Sequence, residues 1–350
     1  MAALTYHLAP AQPDTSGQLN NLGQTMKTSA FLFSILLSIV SLSANAELKP
    51  EQTLAKNKGL VLYNQLKIDL ATPYLKTASE AGDSESQYYL AEAIRQTNRY
   101  MTPEAEKWYE AAARQGNYYA MIQLGRSGND LCKVMSNCPD SGKPPVDWLK
   151  NARALAEPLA EKGDAEAMYV MYEITLNRDW LEKSANAGNP DAQFWMAIGD
   201  KQGEGFLLPW KRKEAVGNWF KASAEGGNPR AMMEYAAYLY ENEGDLKVAR
   251  HWIKVAAEKG YKSGVSSYGA YLAHAPERFG FELDLVKGYA ITSLLKDLDG
   301  GGNVQVYVEE VLPEIAEKMT SQQIKEAEDF AIQWKKSHPP LSFFPDKLSR

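Results

Sequence analysis

Large apolar, small and charged residues recur along this chain in a fixed register around six glycines. The segments TPYLKTASEAG, EKWYEAAARQG, RDWLEKSANAG, GNWFKASAEGG and RHWIKVAAEKG end at Gly82, Gly116, Gly188, Gly227 and Gly260. Eight residues before each glycine stands an aromatic: Tyr74, Trp108, Trp180, Trp219 and Trp252. A sixth copy, ALAEPLAEKG, ends at Gly163 with Leu155 in that slot. Three residues before the glycines stand Ser79, Ala113, Ala160, Ala185, Ala224 and Ala257. Four residues after them stand Ser86, Ala120, Ala167, Ala192, Ala231 and Gly264, and eight after stand Leu90, Leu124, Met171, Met196, Tyr235 and Tyr268. The pattern predicts a helix ending at each glycine, a tight turn, and a second helix. Glycine supplies the positive φ that a helix C-terminus needs. Asn189-Pro190 and Asn228-Pro229 supply N-cap and first-turn chemistry. Small residues let neighbouring helices approach, while the aromatic and the large residue fill the space between hairpins. No hairpin buries its apolar face alone, so the expected fold is all-α, an α-solenoid of stacked helix-turn-helix units.

The glycine spacings are 34, 47, 25, 39 and 33 residues. The excess in the 47-residue interval is an insertion over residues 125–147 that carries Cys132 and Cys138. The 25-residue interval leaves almost no loop between its helices, so they must turn abruptly around Leu176-Asn177.

The N-terminal part follows another logic. Met26-Lys27 precedes an apolar run, Ala30–Leu42, and then Ser-Ala-Asn-Ala ending at Ala46. One positive charge, a short apolar stretch and small residues describe a secretory signal peptide over residues 26–46, cut after Ala46. The run is shorter than the roughly 20 residues that span a bilayer. The alternative is a buried N-terminal helix. Residues 1–25 hold Asp14 and no Lys or Arg, and read as a mis-assigned or added start. The remaining layout is a lead-in over 47–70, the repeat array over 71–300, and capping helices with a tail over 301–350. Export places the protein in the periplasm of a Gram-negative cell and makes a Cys132–Cys138 disulfide the default reading. A redox centre is more often C-x-x-C, and a zinc site needs partners that are absent nearby.

Composition narrows the function. The formal charge is −6, which argues against nucleic acid as a partner. Loss of the leader removes Asp14 and Lys27 together, so the charge persists.

The repeat, A-x-x-W-x-x-x-A-A-x-x-G followed by a small residue four positions on, resembles the Sel-1-like repeat, a relative of the tetratricopeptide repeat. Gly203-Glu204-Gly205-Phe206 and Lys213-Glu214-Ala215 match that family's loop and the start of its second helix. DLVKGYAITSLL, followed by a helix opening with Met-Thr, is similar to the end of many exported members. The resemblance covers roughly residues 70–335 and implies an interaction scaffold. Over residues 58–140, AGDSESQYYLAEAIRQTNRYMTPEAEKWYEAAARQGNYYAMIQLGRSGNDLC further resembles exported Sel-1-like proteins that neutralise phospholipase effectors of type VI secretion. It implies an immunity protein whose partner is a cognate phospholipase, bound so as to cover its active site. An acidic chain suits the basic site of a lipase that handles phosphates. Other relatives imply the alternative, a periplasmic regulatory or envelope-assembly scaffold that binds a sensor kinase or cell-envelope machinery.

Catalytic, cofactor and metal patterns are not found, and the expected protein is not an enzyme. Gly203-x-Gly205 has no preceding strand and no following Gly-Lys-Ser/Thr. DLDGGGNVQVYVE, from Asp297, lacks acidic ligands at a calcium loop's fifth and twelfth positions. His251 is expected on a helix surface, and His274 and His338 lie beside prolines. Two segments exceed what a solenoid needs. In EGFLLPWKRK, Phe206, Leu208, Trp210, Lys211 and Arg212 form a candidate partner-binding loop, unless Leu207 and Trp210 fold over the neighbouring repeat. The disulfide loop is the other candidate.

Overall fold

The structure is a computed structural model that describes residues 47–348 except 141, 206–207 and 299–303. The leader and start segment, residues 1–46, lie outside the described residues, as does Phe206. The helices run α1 Pro50–Asn64, α2 Ile68–Glu80, α3 Ser84–Asn98, α4 Pro103–Arg114, α5 Tyr118–Arg126, α6 Leu131–Val134, α7 Pro145–Ala160, α8 Ala165–Thr175 and α9 Arg178–Asn186. They continue with α10 Pro190–Gln202, α11 Pro209–Glu225, α12 Pro229–Glu241, α13 Leu246–Glu258, α14 Lys262–Leu272, α15 Leu285–Ser293, α16 Val304–Ala316 and α17 Ser321–Ser337. Successive helices pack on one another from α1 to α16, with α5 meeting α7 past the short α6, and α17 returns to pack on α15. Among the described residues there is no strand, and Tyr261 and Ser342 form an isolated β-bridge. The array is an all-α solenoid, as the register predicts.

The six turns form for the reason the spacing gave. Gly82, Gly116, Gly163, Gly188, Gly227 and Gly260 all have φ between +75° and +96°. Five of the helices that follow are capped by their own side chains. Asp83, Asn117, Asp164, Asn189 and Asn228 accept from the amides of Ser86, Ala120, Ala167, Ala192 and Ala231. Each such cap stabilises its helix by about 1 kcal/mol. The sixth, α14, starts at Tyr261, which offers no side-chain cap. Leu176 takes the left-handed conformation, φ +55°, and makes the abrupt turn between α8 and α9.

The small register positions are buried throughout, Ser79 and Ala257 before the glycines as fully as Ser86 and Ala231 after them. The aromatic slot is less uniform. Trp108 is buried, and Trp180, Trp219 and Trp252 pack against core clusters. Tyr74 and Leu155 are exposed instead, at 42% and 45%. α11 begins at Pro209, so Lys213-Glu214-Ala215 lies inside that helix and not at its start.

Two clusters bound the array. One holds Leu75, Leu90, Trp108, Tyr109 and Met171 of the N-terminal repeats, and the other holds Ile253, Ile291, Leu295 and Leu312 of the C-terminal ones. No helix among the described residues is long and apolar enough to cross a membrane.

Candidate interaction surfaces

The insertion after α5 is anchored by one carboxylate. Asp130 accepts from the amides of Cys132 at 3.1 Å and Met101 at 2.9 Å, and pairs with Arg95 Nη2 at 3.2 Å. It thereby caps α6 and ties the insertion to α3 and to the start of α4. Cys132 is buried and joined to the exposed Cys138 in a disulfide, with Cα atoms 4.6 Å apart. Around this bridge the chain displays apolar side chains to solvent. Leu131 and Met135 are exposed, and Val134 is 83% exposed. A short loop closed at both ends gives these side chains little conformational freedom to lose on binding.

Trp210, Lys211 and Arg212 stand not on a loop but in the first turn of α11, which Pro209 opens after the N-cap Leu208, and a polar corner lies behind that turn. Gly203 and Gly205 both have φ +94° and turn the chain after α10. Arg178 crosses that turn, with Nη2 2.5 Å from Asp200 Oδ1 and Nη1 3.1 Å from Glu204 Oε2. Burial pushes the Asp200 carboxyl above its ordinary range against the pull of Arg178. Leu208 and Lys211 are exposed, and Trp210 is 66% exposed, so the indole does not fold over the neighbouring repeat. Arg212 faces the other way. Its Nη1 would stand 3.6 Å from a methyl group on Gly203. The candidate segment therefore divides, with Leu208, Trp210 and Lys211 outward and Arg212 against the Gly203 turn.

A third surface involves the segment after α17. Pro339–Leu348 runs across the first turns of the helices that follow the glycines. Gln65 Nε2 donates to Leu341 O at 3.1 Å, Ser342 N to Gly260 O at 2.9 Å, and Phe343 N to Asn64 O at 2.9 Å. Lys262 N donates to Ser342 O at 2.9 Å. The strap carbonyl thus satisfies a first-turn amide of α14, the helix whose cap residue lacks an acceptor side chain. Phe344 meets Tyr261 edge-on, with ring centroids 5.9 Å apart. Asp346 Oδ1 accepts from Arg230 Nη1 of α12 at 2.6 Å. Lys347 Nζ lies 3.2 Å from Glu166 Oε1 of α8, and its carbonyl accepts from the Tyr88 hydroxyl of α3. Leu341 is buried in the C-terminal cluster, and Leu348, 4% exposed, in the N-terminal one.

The groove under this strap is polar and crowded. Glu166 accepts from Asn189 Nδ2 at 3.0 Å and from the Tyr119 hydroxyl. Asn228 Nδ2 donates to Asp191 Oδ1 at 2.9 Å. Burial pushes the Asp191 carboxyl up, although Arg230 and Lys347 draw it down. Beside the strap a cavity of about 520 Å³ remains, walled by Tyr89, Tyr119, Tyr169, Asp191, Arg230 and Lys259 among others.

The expected layout leaves residues 339–348 in the tail that follows the capping helices. The available signal was composition: PPLSFFPDKL places Leu341, Phe343, Phe344 and Leu348 where a solvated tail has no use for four large apolar groups. The three described histidines have local partners. His251 is exposed against Trp252, His274 Nε2 lies 2.9 Å from Phe281 O, and His338 stacks on Trp334 at 3.7 Å. Asp297 pairs with Lys335 at 2.7 Å. No group of three or more His, Cys, Asp or Glu among the described residues is placed to hold a metal ion.

No family model matches the chain, and no curated protein matches it. Among the solved structures that resemble it are two repeat proteins. One is a protective antigen present in uropathogenic Escherichia coli strains, displaying an SLR fold, at 19% identity and a TM-score of 0.46. That likeness covers 83% of this chain and 62% of the antigen, so the chain spans less than two thirds of the antigen's length. The other is a Sel1 repeat protein from Oxalobacter formigenes, at 19% identity and a TM-score of 0.36, with 65% of this chain and 93% of that one covered.

Proposed function

We propose that this chain is a periplasmic binding protein without catalytic activity that neutralises an antibacterial phospholipase effector of type VI secretion by covering its active site. The observation that carries the binding role is the display of large apolar side chains, Val134 at the end of the short α6 and Trp210 in the first turn of α11, at the edges of the connections between repeats. Connections on a rigid scaffold are where recognition concentrates, and exposed Trp is a common anchor at interfaces. The choice of a phospholipase is supported by the resemblance over residues 58–140 and by the formal charge of −6, which steers the chain to a basic partner. The test expresses an adjacent-gene phospholipase in the periplasm with and without this chain. Rescue of growth and a co-purified complex are expected. Failure of both overturns the immunity reading.

One observation favours a second reading, a regulatory or envelope-assembly scaffold that binds a sensor kinase or envelope machinery. A groove closed by the protein's own strap is suited to conditional binding. A gene neighbourhood without a phospholipase, together with pull-down of an envelope protein, supports it over immunity.

A further inference from the structure

The strap is held as a bound peptide is held. Its main chain makes hydrogen bonds to Gly260, Lys262, Asn64 and the Gln65 amide, contacts that depend on no particular side chain of the strap. Pro339, Pro340 and Pro345 restrict φ on either side of Phe344, where the strap turns in the left-handed conformation at φ +47°. Its side chains use three fixed receivers: an apolar seat for Leu341, another for Leu348, and the Arg230 guanidinium for Asp346. The groove also has an amide, Lys262 N–H, whose helix supplies no cap of its own, so it calls for an outside carbonyl. The cavity of about 520 Å³ beside the strap shows that the strap does not fill the space it covers.

We propose that residues 339–348 are an exchangeable internal ligand. The groove beneath receives a partner segment of the same chemistry, apolar at both ends with a carboxylate for Arg230, which enters by displacing the strap. This holds whichever protein the partner is, and its failure leaves the phospholipase reading untouched. A tethered segment competes at an effective concentration of about a millimolar. If the groove binds the free segment with a Kd of about 10 µM, the tethered copy weakens entry roughly 100-fold.

The test uses the full chain and a fluorescein-labelled peptide PPLSFFPDKL. The doubly substituted chain Leu341→Asp/Leu348→Asp loses both apolar seats of the strap and leaves the groove residues unchanged. Fluorescence anisotropy should show it binding the peptide at least 10-fold more tightly than the unsubstituted chain. Adding Arg230→Ala to that variant should remove most of the binding. Equal binding by the unsubstituted and loosened chains, or none by a loosened chain whose helicity is intact, overturns the proposal. Hydrogen exchange on the unsubstituted chain is the second measurement and needs no variant. The amides of Ser342 and Phe343 should exchange through a local opening, well before those of Phe220 and Ile253. Their exchange at the rate of global unfolding overturns it as well. So does a dimer of the unsubstituted chain with straps traded between copies, because the occupant is then a second copy.

Discussion

Asn64, at the end of α1, and Gly260, in the last of the six glycine turns, are held by one dipeptide: Phe343 N donates to Asn64 O and Ser342 N to Gly260 O, each at 2.9 Å. Residues far apart in sequence thus share adjacent amides of the strap. Gly260 has a second duty there. A Cβ on it would lie 2.6 Å from Pro340 O, whereas one on Gly82 would meet nothing within 4 Å. Both glycines have positive φ, +93° at Gly82 and +75° at Gly260. Gly82→Ala should therefore cost about 1 kcal/mol, the penalty of the left-handed conformation. Gly260→Ala should cost more and should free the amides of Ser342 and Phe343. Denaturant unfolding and hydrogen exchange on the two variants check this, and equal costs with a protected strap contradict it.

Asp83 caps α3 and pairs with Lys56 Nζ at 2.9 Å. Burial raises its carboxyl, but Lys56 and Ser86 outweigh burial and hold it below the usual range. A lowered folded pKa stabilises above the ordinary carboxylate value and loses that contribution as pH falls through the lowered one. Asn keeps the cap and drops the charge. Asp83→Asn should thus be less stable than the parent at pH 7, and the gap should close below about pH 4. A constant gap across a pH series of thermal unfolding refutes the charge argument.

Two tryptophans should behave in opposite ways. Trp108 is buried among Leu75, Tyr109 and Met171 of the N-terminal cluster, and truncating it to Ala should cost about 3–5 kcal/mol. Trp210 is exposed, and Trp210→Ala should alter stability by less than about 0.5 kcal/mol. If the start of α11 is a binding edge, the same substitution should weaken the partner complex by about 2 kcal/mol or more. Chemical denaturation and calorimetric titration give the two numbers.

The thiols of Cys132 and Cys138 should resist a maleimide label in the exported chain until reductant is added. Ready labelling of the untreated protein, read by mass spectrometry, removes the disulfide from the anchored loop.

The repeats were legible because what specifies them is local. A glycine turn, a cap three residues before a small residue and a large residue four further on all act within two helical turns, so Asn189, Ala192 and Met196 show themselves in sequence. The register fixes a side chain's angle around its helix, whereas cover comes from neighbouring hairpins. That is why Tyr74 and Leu155 occupy the aromatic slot and yet stay exposed. The strap was legible only as an unexplained cluster of apolar residues, and its seat was not legible. Ser342 is placed by Gly260 and Lys262, and Leu348 by side chains of the N-terminal cluster, and no short-range spacing encodes either meeting.

The strap also alters how the array comes apart. A linear stack holds each unit through its nearest neighbours, so its end units fray first. Here Leu348 lies in the cluster of the first repeats and Leu341 in that of the last, so neither end of the stack is thermodynamically an end. Melting a terminal hairpin forfeits contacts at the opposite terminus too, and the solenoid gains the cooperativity of a ring from ten residues that belong to no repeat.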